Sequence, residues 1–287
     1  MSVGISRYKH LLMESPPHFY VSLASCENFS LQSAIDLLES AYDNFLRPLA
    51  ENRNDLKMVA SYSNSDSDRF VHFKDDTVNW KLLRTKDRLN HFALSHWRET
   101  NKSLDRSPSV SGLALNWPNQ PDEARSIEIS ISSLDMLNGV IDLPFQQKIT
   151  QFAKEAFIGM KGSVGYSTID YVSANCYGAA SPYEMYVVLS YPWAAKEFRA
   201  KARGYYWGNF LHQRHIDQLG GVEALAHASM VKIEKLDSER YYLQLTDDIN
   251  DIPLTQLHHL KTVFSKILPV GYPSSRSYGK VAVPYFL

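Results

Sequence analysis

Residues 18–50, HFYVSLASCENFSLQSAIDLLESAYDNFLRPLA, carry the two patterns that decide the fold class. The first, from His18 to Ser25, is rich in aromatic and branched residues with rough alternation, which predicts a strand. The second predicts a helix that Ser30 is placed to cap, because apolar residues recur at spacings of three and four and form one face. The residues of that face are Leu31, Ala34, Ile35, Leu38, Tyr42, Phe45, Leu46 and Leu49. A strand followed by a helix is therefore expected at the start of the fold.

The rest of the chain continues with strands in groups and single helices between them. Strands are predicted at 56–62, 69–73, 110–117, 126–132, 162–173 and 205–211, and as a hairpin at 230–236 and 241–246. Helices are predicted after Asp142, with Pro144 in the first turn, at 212–219 and near Leu257; residues 80–97 are ambiguous. Because regular βαβ alternation is missing, the pattern predicts an α+β protein with antiparallel sheets and helices packed on their faces.

The length allows one large domain or two modest ones, and we expect a single domain over residues 1–287. The polar connector Asn101 to Ser109, NKSLDRSPS, is the one place where an internal boundary between two sub-structures is expected.

The composition is that of an ordinary globular protein. Apolar residues make up 44% of the 287 residues, charged residues 21%, and the formal net charge is −1. No overall field therefore favours nucleic acid or an anionic membrane. Two cysteines that are distant in sequence, Cys26 and Cys176, indicate reduced thiols. No segment has enough consecutive apolar residues to span a membrane. We expect a cytoplasmic protein that binds neither membrane nor nucleic acid directly.

The motifs that carry catalytic chemistry are incomplete. His212 and His215 are three residues apart, so both side chains could ligate one metal ion from the same face of a helix. They lack a third ligand, however, and are expected to be solvated or capping residues. Glu128 has Ser130 where a restriction-like nuclease needs a lysine. Neither a Gly-x-Ser-x-Gly elbow nor a phosphate-binding loop is present. The sequence therefore predicts no catalytic residue, no metal and no cofactor.

Two surfaces remain as candidates for contact with another protein. The aromatic stretch that contains Tyr206 and Trp207 could supply binding energy, since such rings are enriched at hot spots, although core packing is the stronger expectation for either ring. The acidic loop with Asp247, Asp248 and Asp251 could mimic phosphates against a basic cleft, or be a solvated turn and helix cap. We take these five residues as the candidate partner-binding set.

One stretch resembles a known family. Gly204 to Leu211, GYYWGNFL, is followed by His215 and by Leu219-Gly220-Gly221, then by Leu243-Gln244-Leu245 before the acidic loop and the helix near Leu257. Together with the upstream Ser181-Pro182-Tyr183-Glu184, this arrangement is similar to the TsiV-like family of type VI secretion immunity proteins.

The resemblance implies a non-enzymatic immunity protein. Such a protein binds and neutralises a cognate antibacterial effector, expected to be encoded next to it, by blocking the effector's active site or substrate cleft. Some members are paired with VRR-Nuc-type DNA nucleases, so a nuclease is the expected partner. Two alternatives stay open: a hydrolase with dispersed catalytic residues, for which His212, His215 and Asp217 are the first suspects, and an adaptor protein of the secretion machinery.

Overall fold

A computed structural model describes residues 18–51, 56–63, 80–84, 89–98, 111–118, 123–136, 139–170, 199–202, 204–226, 232–251 and 253–268. Nine strands in this part of the chain form one antiparallel sheet in the order β2-β3-β4-β5-β1-β6-β7-β9-β8. The strands are β1 His18–Ser25, β2 Leu56–Ser63, β3 His91–Arg98, β4 Gly112–Asn116, β5 Arg125–Ser132, β6 Val164–Asp170, β7 Gly208–His212, β8 Lys232–Lys235 and β9 Arg240–Gln244.

The helices connect and cover these strands. They are α1 Leu31–Ala41, which continues through a π-helical turn at Tyr42–Leu46 to Arg47–Glu51, then α2 Trp80–Arg84, α3 Leu143–Gly159, α4 Gln213–Gln218, α5 Val222–Ala226 and α6 Leu254–Phe264. The predicted α+β class is confirmed. The predicted strands that lie within the described residues belong to one continuous antiparallel sheet.

Both long helices begin where their capping residues predict. The side chain of Ser30 accepts a hydrogen bond from the Ser33 N–H at 3.0 Å at the start of α1. Asp142 Oδ1 accepts from the Phe145 N–H at 3.0 Å at the start of α3. Each side chain satisfies a backbone donor that the first helical turn leaves without an acceptor.

The two faces of the sheet differ in what covers them. Helices α1 and α3 contact the first face at β1, β4 and β5. The alternation predicted in β5 is confirmed, because Ile127, Ile129 and Ile131 are buried and the intervening Glu128 and Ser130 are half-buried.

On the second face, three tyrosine rings pack together away from the main core. The rings of Tyr20 and Tyr166 lie 6.0 Å apart, and those of Tyr166 and Tyr206 stack at 4.0 Å. The segment that precedes β7 therefore folds over this face near its centre.

The strand predicted at 205–211 begins three residues later, at Gly208. The reason is the side chain of Asn209, whose Oδ1 accepts from the Tyr206 N–H at 3.0 Å and whose Nδ2 donates to the Tyr206 carbonyl at 2.8 Å. This amide supplies the partners that a neighbouring strand would otherwise offer, so Tyr206 stays outside the sheet ladder.

Several predicted features lie outside the described residues: the strand at 69–73, the Ser181 to Glu184 stretch and the connector at 101–109. On either side of that connector, β3 and β4 are antiparallel neighbours, with Phe92 opposite Leu115. The single domain and its internal boundary stay predictions.

Candidate protein-binding surface

The acidic loop follows β9 and lies against the start of α3. Asn250 Nδ2 donates to the Ile141 carbonyl at 3.2 Å, across 109 residues of sequence. Ile141 and Ile249, one from each segment, are fully buried beneath the contact. Residues 139–143 and 247–251 are therefore neighbours, and we call the exposed side chains of these two segments the acidic-apolar surface.

Gln146, in the first turns of α3, holds the two segments together. Its side chain is 1% exposed. Nε2 donates to the Ile141 carbonyl at 3.0 Å and to Asp248 Oδ1 at 2.8 Å, while Oε1 accepts from the Ile249 N–H at 3.0 Å. Because one buried amide satisfies groups on both segments, the relative position of the loop and the helix start is set by this side chain.

The three loop aspartates occupy different environments. Asp248 is half-buried, and its Oδ1 also accepts from the backbone and side-chain nitrogens of Asn250 at 2.8 and 2.9 Å. Burial alone would raise the pKa of Asp248, but the hydrogen bonds from Asn250 and Gln146 outweigh it and hold the pKa below its ordinary value. Asp248 is therefore occupied within the loop, whereas the side chains of Asp247 and Asp251 are exposed.

Apolar side chains accompany these carboxylates. Val140 is 51% exposed and Leu143 is 38% exposed, on either side of the exposed capping residue Asp142. Two further large hydrophobic residues with exposed side chains, Ile158 and Val222, lie elsewhere in the chain. These exposed apolar groups and carboxylates make the two segments a candidate surface for contact with another protein.

The two aromatic residues of the predicted set lie elsewhere. Tyr206 is 3% exposed and Trp207 is 2% exposed. The Trp207 ring meets Phe19 edge-on at 6.0 Å, and its Nε1–H donates to the Thr246 carbonyl at 2.9 Å. Both rings are packed in this fold, and their part in partner binding stays a prediction.

The histidines suspected of catalysis cap a helix. His212 Nδ1 accepts from the Arg214 N–H at 3.2 Å, and His215 Nδ1 accepts from the His212 N–H at 3.3 Å, which together form a capping box at the start of α4. Burial lowers the pKa of His212, in agreement with a neutral ring that accepts a hydrogen bond. Asp217 accepts from Gln213 on the exposed side of the same helix.

A second group of residues of catalytic types is buried near the start of β1, the start of β4 and the end of β5. Asp135 Oδ2 accepts from both the backbone N–H and the hydroxyl of Ser111, at 3.0 and 2.7 Å. His18 Nδ1 lies 2.9 Å from the Ser130 hydroxyl, and burial lowers the pKa of His18 to about 4. The Ser111 hydroxyl donates its proton to the Asp135 carboxylate, whereas the nucleophilic serine of a hydrolase triad donates to an imidazole. His18, Ser111 and Asp135 are also fully buried.

The described part of the chain provides neither a metal-binding cluster nor a membrane-spanning helix. Among the described residues, no group of three or more His, Cys, Asp or Glu side chains could hold a metal ion. None of the helices formed by those residues is both long and apolar enough to cross a bilayer.

Sequence reasoning missed Val140, Leu143 and Gln146 as parts of this surface. Gln146 had a detectable signal: it lies three residues before Ile149, on the buried stripe of α3, where a polar side chain needs partners. Val140 and Leu143 gave no signal, since apolar residues next to a helix start are equally typical of a buried position.

Comparisons with known proteins show the fold. No family model and no curated protein matches the sequence. A solved structure, the Pseudomonas aeruginosa T6SS protein PA0821, superposes with a TM-score of 0.57 over 92% of this chain and 82% of that chain, at 15% sequence identity. The chain therefore shares the fold of that protein.

Proposed function

We propose that this protein is a type VI secretion immunity protein that binds a cognate antibacterial effector in the cytoplasm and blocks it by stoichiometric contact, without catalysis. The observation that carries the proposal is the fold shared with a T6SS protein over 92% of the chain. The resemblance of residues 204–221 to TsiV-like immunity proteins supports the same assignment.

The acidic-apolar surface supports a nuclease as the partner. Clefts that bind DNA are basic, because they neutralise phosphates with lysine and arginine. The exposed carboxylates of Asp142, Asp247 and Asp251 are complementary to such a cleft, and each can accept charge-assisted hydrogen bonds from those cations. A VRR-Nuc-type DNA nuclease whose DNA-binding cleft or active site is covered is the partner that we propose.

Growth after co-expression tests the proposal. The effector encoded beside this protein is induced in bacteria with and without this chain, and an unrelated toxic nuclease serves as the control. Survival is expected with the neighbouring effector and death with the unrelated one. If the chain gives no protection against any effector encoded beside it, the proposal fails.

A further inference from the structure

We infer that the acidic-apolar surface is the docking site, with Leu143 and Val140 as its apolar centre and Asp142, Asp247 and Asp251 as its charged rim. This inference rests on the proposed function and identifies the part of the molecule that performs it. The occupant is a second protein whose contact surface carries an apolar pocket surrounded by arginine or lysine side chains.

The apolar centre is the first support. Two large hydrophobic residues with exposed side chains, Val140 and Leu143, lie three positions apart at the start of α3. Leu143 and Val140 flank the buried Ile141, so they lie on a segment that is anchored in the core. Apolar side chains held on a rigid support are the type of group that fills a pocket on a partner.

The charged rim selects the occupant. Asp142, Asp247 and Asp251 are exposed on the two segments that Gln146 joins, so both segments add negative charge to the surface that carries Val140 and Leu143. A partner with a basic rim would pair with these groups and would be steered toward the surface during encounter.

A second copy of this chain fits the surface poorly. A two-fold interface brings the same patch of each subunit together, so these carboxylates would face identical carboxylates. Like charges placed across an interface oppose association. Charge complementarity therefore favours a different, basic protein as the occupant.

The structure also shows which aspartates the experiment has to change. Asp248 accepts hydrogen bonds from Gln146 and Asn250, so its replacement would disturb the loop as well as the charge. Asp247→Asn and Asp251→Asn remove charge at exposed positions. Leu143→Ser removes the apolar group at the first position of α3, and Ile158→Ser at the other end of α3 is its matched control, since Ile158 is similarly exposed at 37%.

Calorimetric titration against the purified protein of the neighbouring gene, at several salt concentrations, tests the inference. Leu143→Ser should weaken binding on the order of tenfold or more, as expected for a hot-spot side chain, while Ile158→Ser leaves it unchanged. The Asp247→Asn/Asp251→Asn double variant should weaken binding and flatten its salt dependence, whereas Glu155→Gln on α3 should change neither.

The possible failures are distinguishable. If the unmodified protein does not bind, the proposed function fails and this inference falls with it. If the unmodified protein binds and Leu143→Ser binds equally well, the docking site is elsewhere and the inference alone is overturned. A homodimer seen by sedimentation equilibrium that Leu143→Ser dissociates would identify a second copy as the occupant and would also overturn it.

Discussion

Replacing Gln146 with alanine removes the side chain that joins the acidic loop to α3, and its cost can be worked out bond by bond. The Ile141 carbonyl still accepts from Asn250, and the Asp248 carboxylate keeps two donors from Asn250. The Ile249 N–H, in contrast, loses its acceptor at a fully buried residue. A buried unsatisfied donor costs about 1–3 kcal/mol, and the small cavity left by the amide adds about 1 kcal/mol. Gln146→Ala should therefore lower the free energy of unfolding by about 3 kcal/mol.

The same helix provides the control for this prediction. Gln151 is exposed, and its side chain donates only to the exposed Glu155, one turn along α3. Such a pair contributes about 0.5 kcal/mol or less, so Gln151→Ala should be nearly neutral. Urea unfolding measures both variants, with the midpoint compared at constant slope. Equal midpoints for Gln146→Ala and Gln151→Ala would refute the argument that a buried amide holds the surface together.

Two further predictions concern the core. In the folded protein burial lowers the pKa of His18 from 6.5 to about 4, so between these values the unfolded chain binds a proton that the folded chain excludes. The contribution of His18 to the free energy of unfolding should therefore be fully present above pH 6.5 and should fall on the order of 3 kcal/mol by pH 4. Chemical unfolding at a series of pH values should give a flatter pH profile for His18→Asn than for the unmodified protein. Identical pH profiles would contradict this prediction. A Cβ on Gly162 would lie 2.0 Å from the Phe157 ring, whereas one on Gly159 meets nothing within 4 Å. Gly162→Ala should lower the free energy of unfolding by about 1–3 kcal/mol or more, whereas Gly159→Ala should be neutral or stabilising by up to about 1 kcal/mol. Thermal unfolding compares the two variants, and equal melting temperatures would contradict this packing.

The elements of this fold could be predicted where the signal is local. Ser30 and Asp142 cap helices because a short polar side chain reaches the free N–H groups of the next turn, which depends only on neighbours in sequence. The alternation of Ile127, Ile129 and Ile131 predicted the buried face of β5 for the same reason.

The candidate surface could be predicted only in part, because it depends on contacts between distant residues. Asp247, Asp248 and Asp251 look alike in the sequence, and the contact that separates Asp248 from the other two comes from Gln146, 102 residues away. Tyr206 is of a residue type that is enriched at binding hot spots, and its packing role is visible only from its stacking on Tyr166 in the structure. Aromatic residues have the same character in a core and at an interface, so sequence alone does not distinguish the two.

Titration of the effector's own activity with increasing amounts of this protein tests the central claim most directly. If the protein acts by contact, the remaining activity should fall linearly and reach zero at one equivalent, whatever the time of pre-incubation. If the protein instead modifies or degrades its target, a small fraction of an equivalent would abolish activity progressively with time, and this result would contradict inhibition by stoichiometric binding.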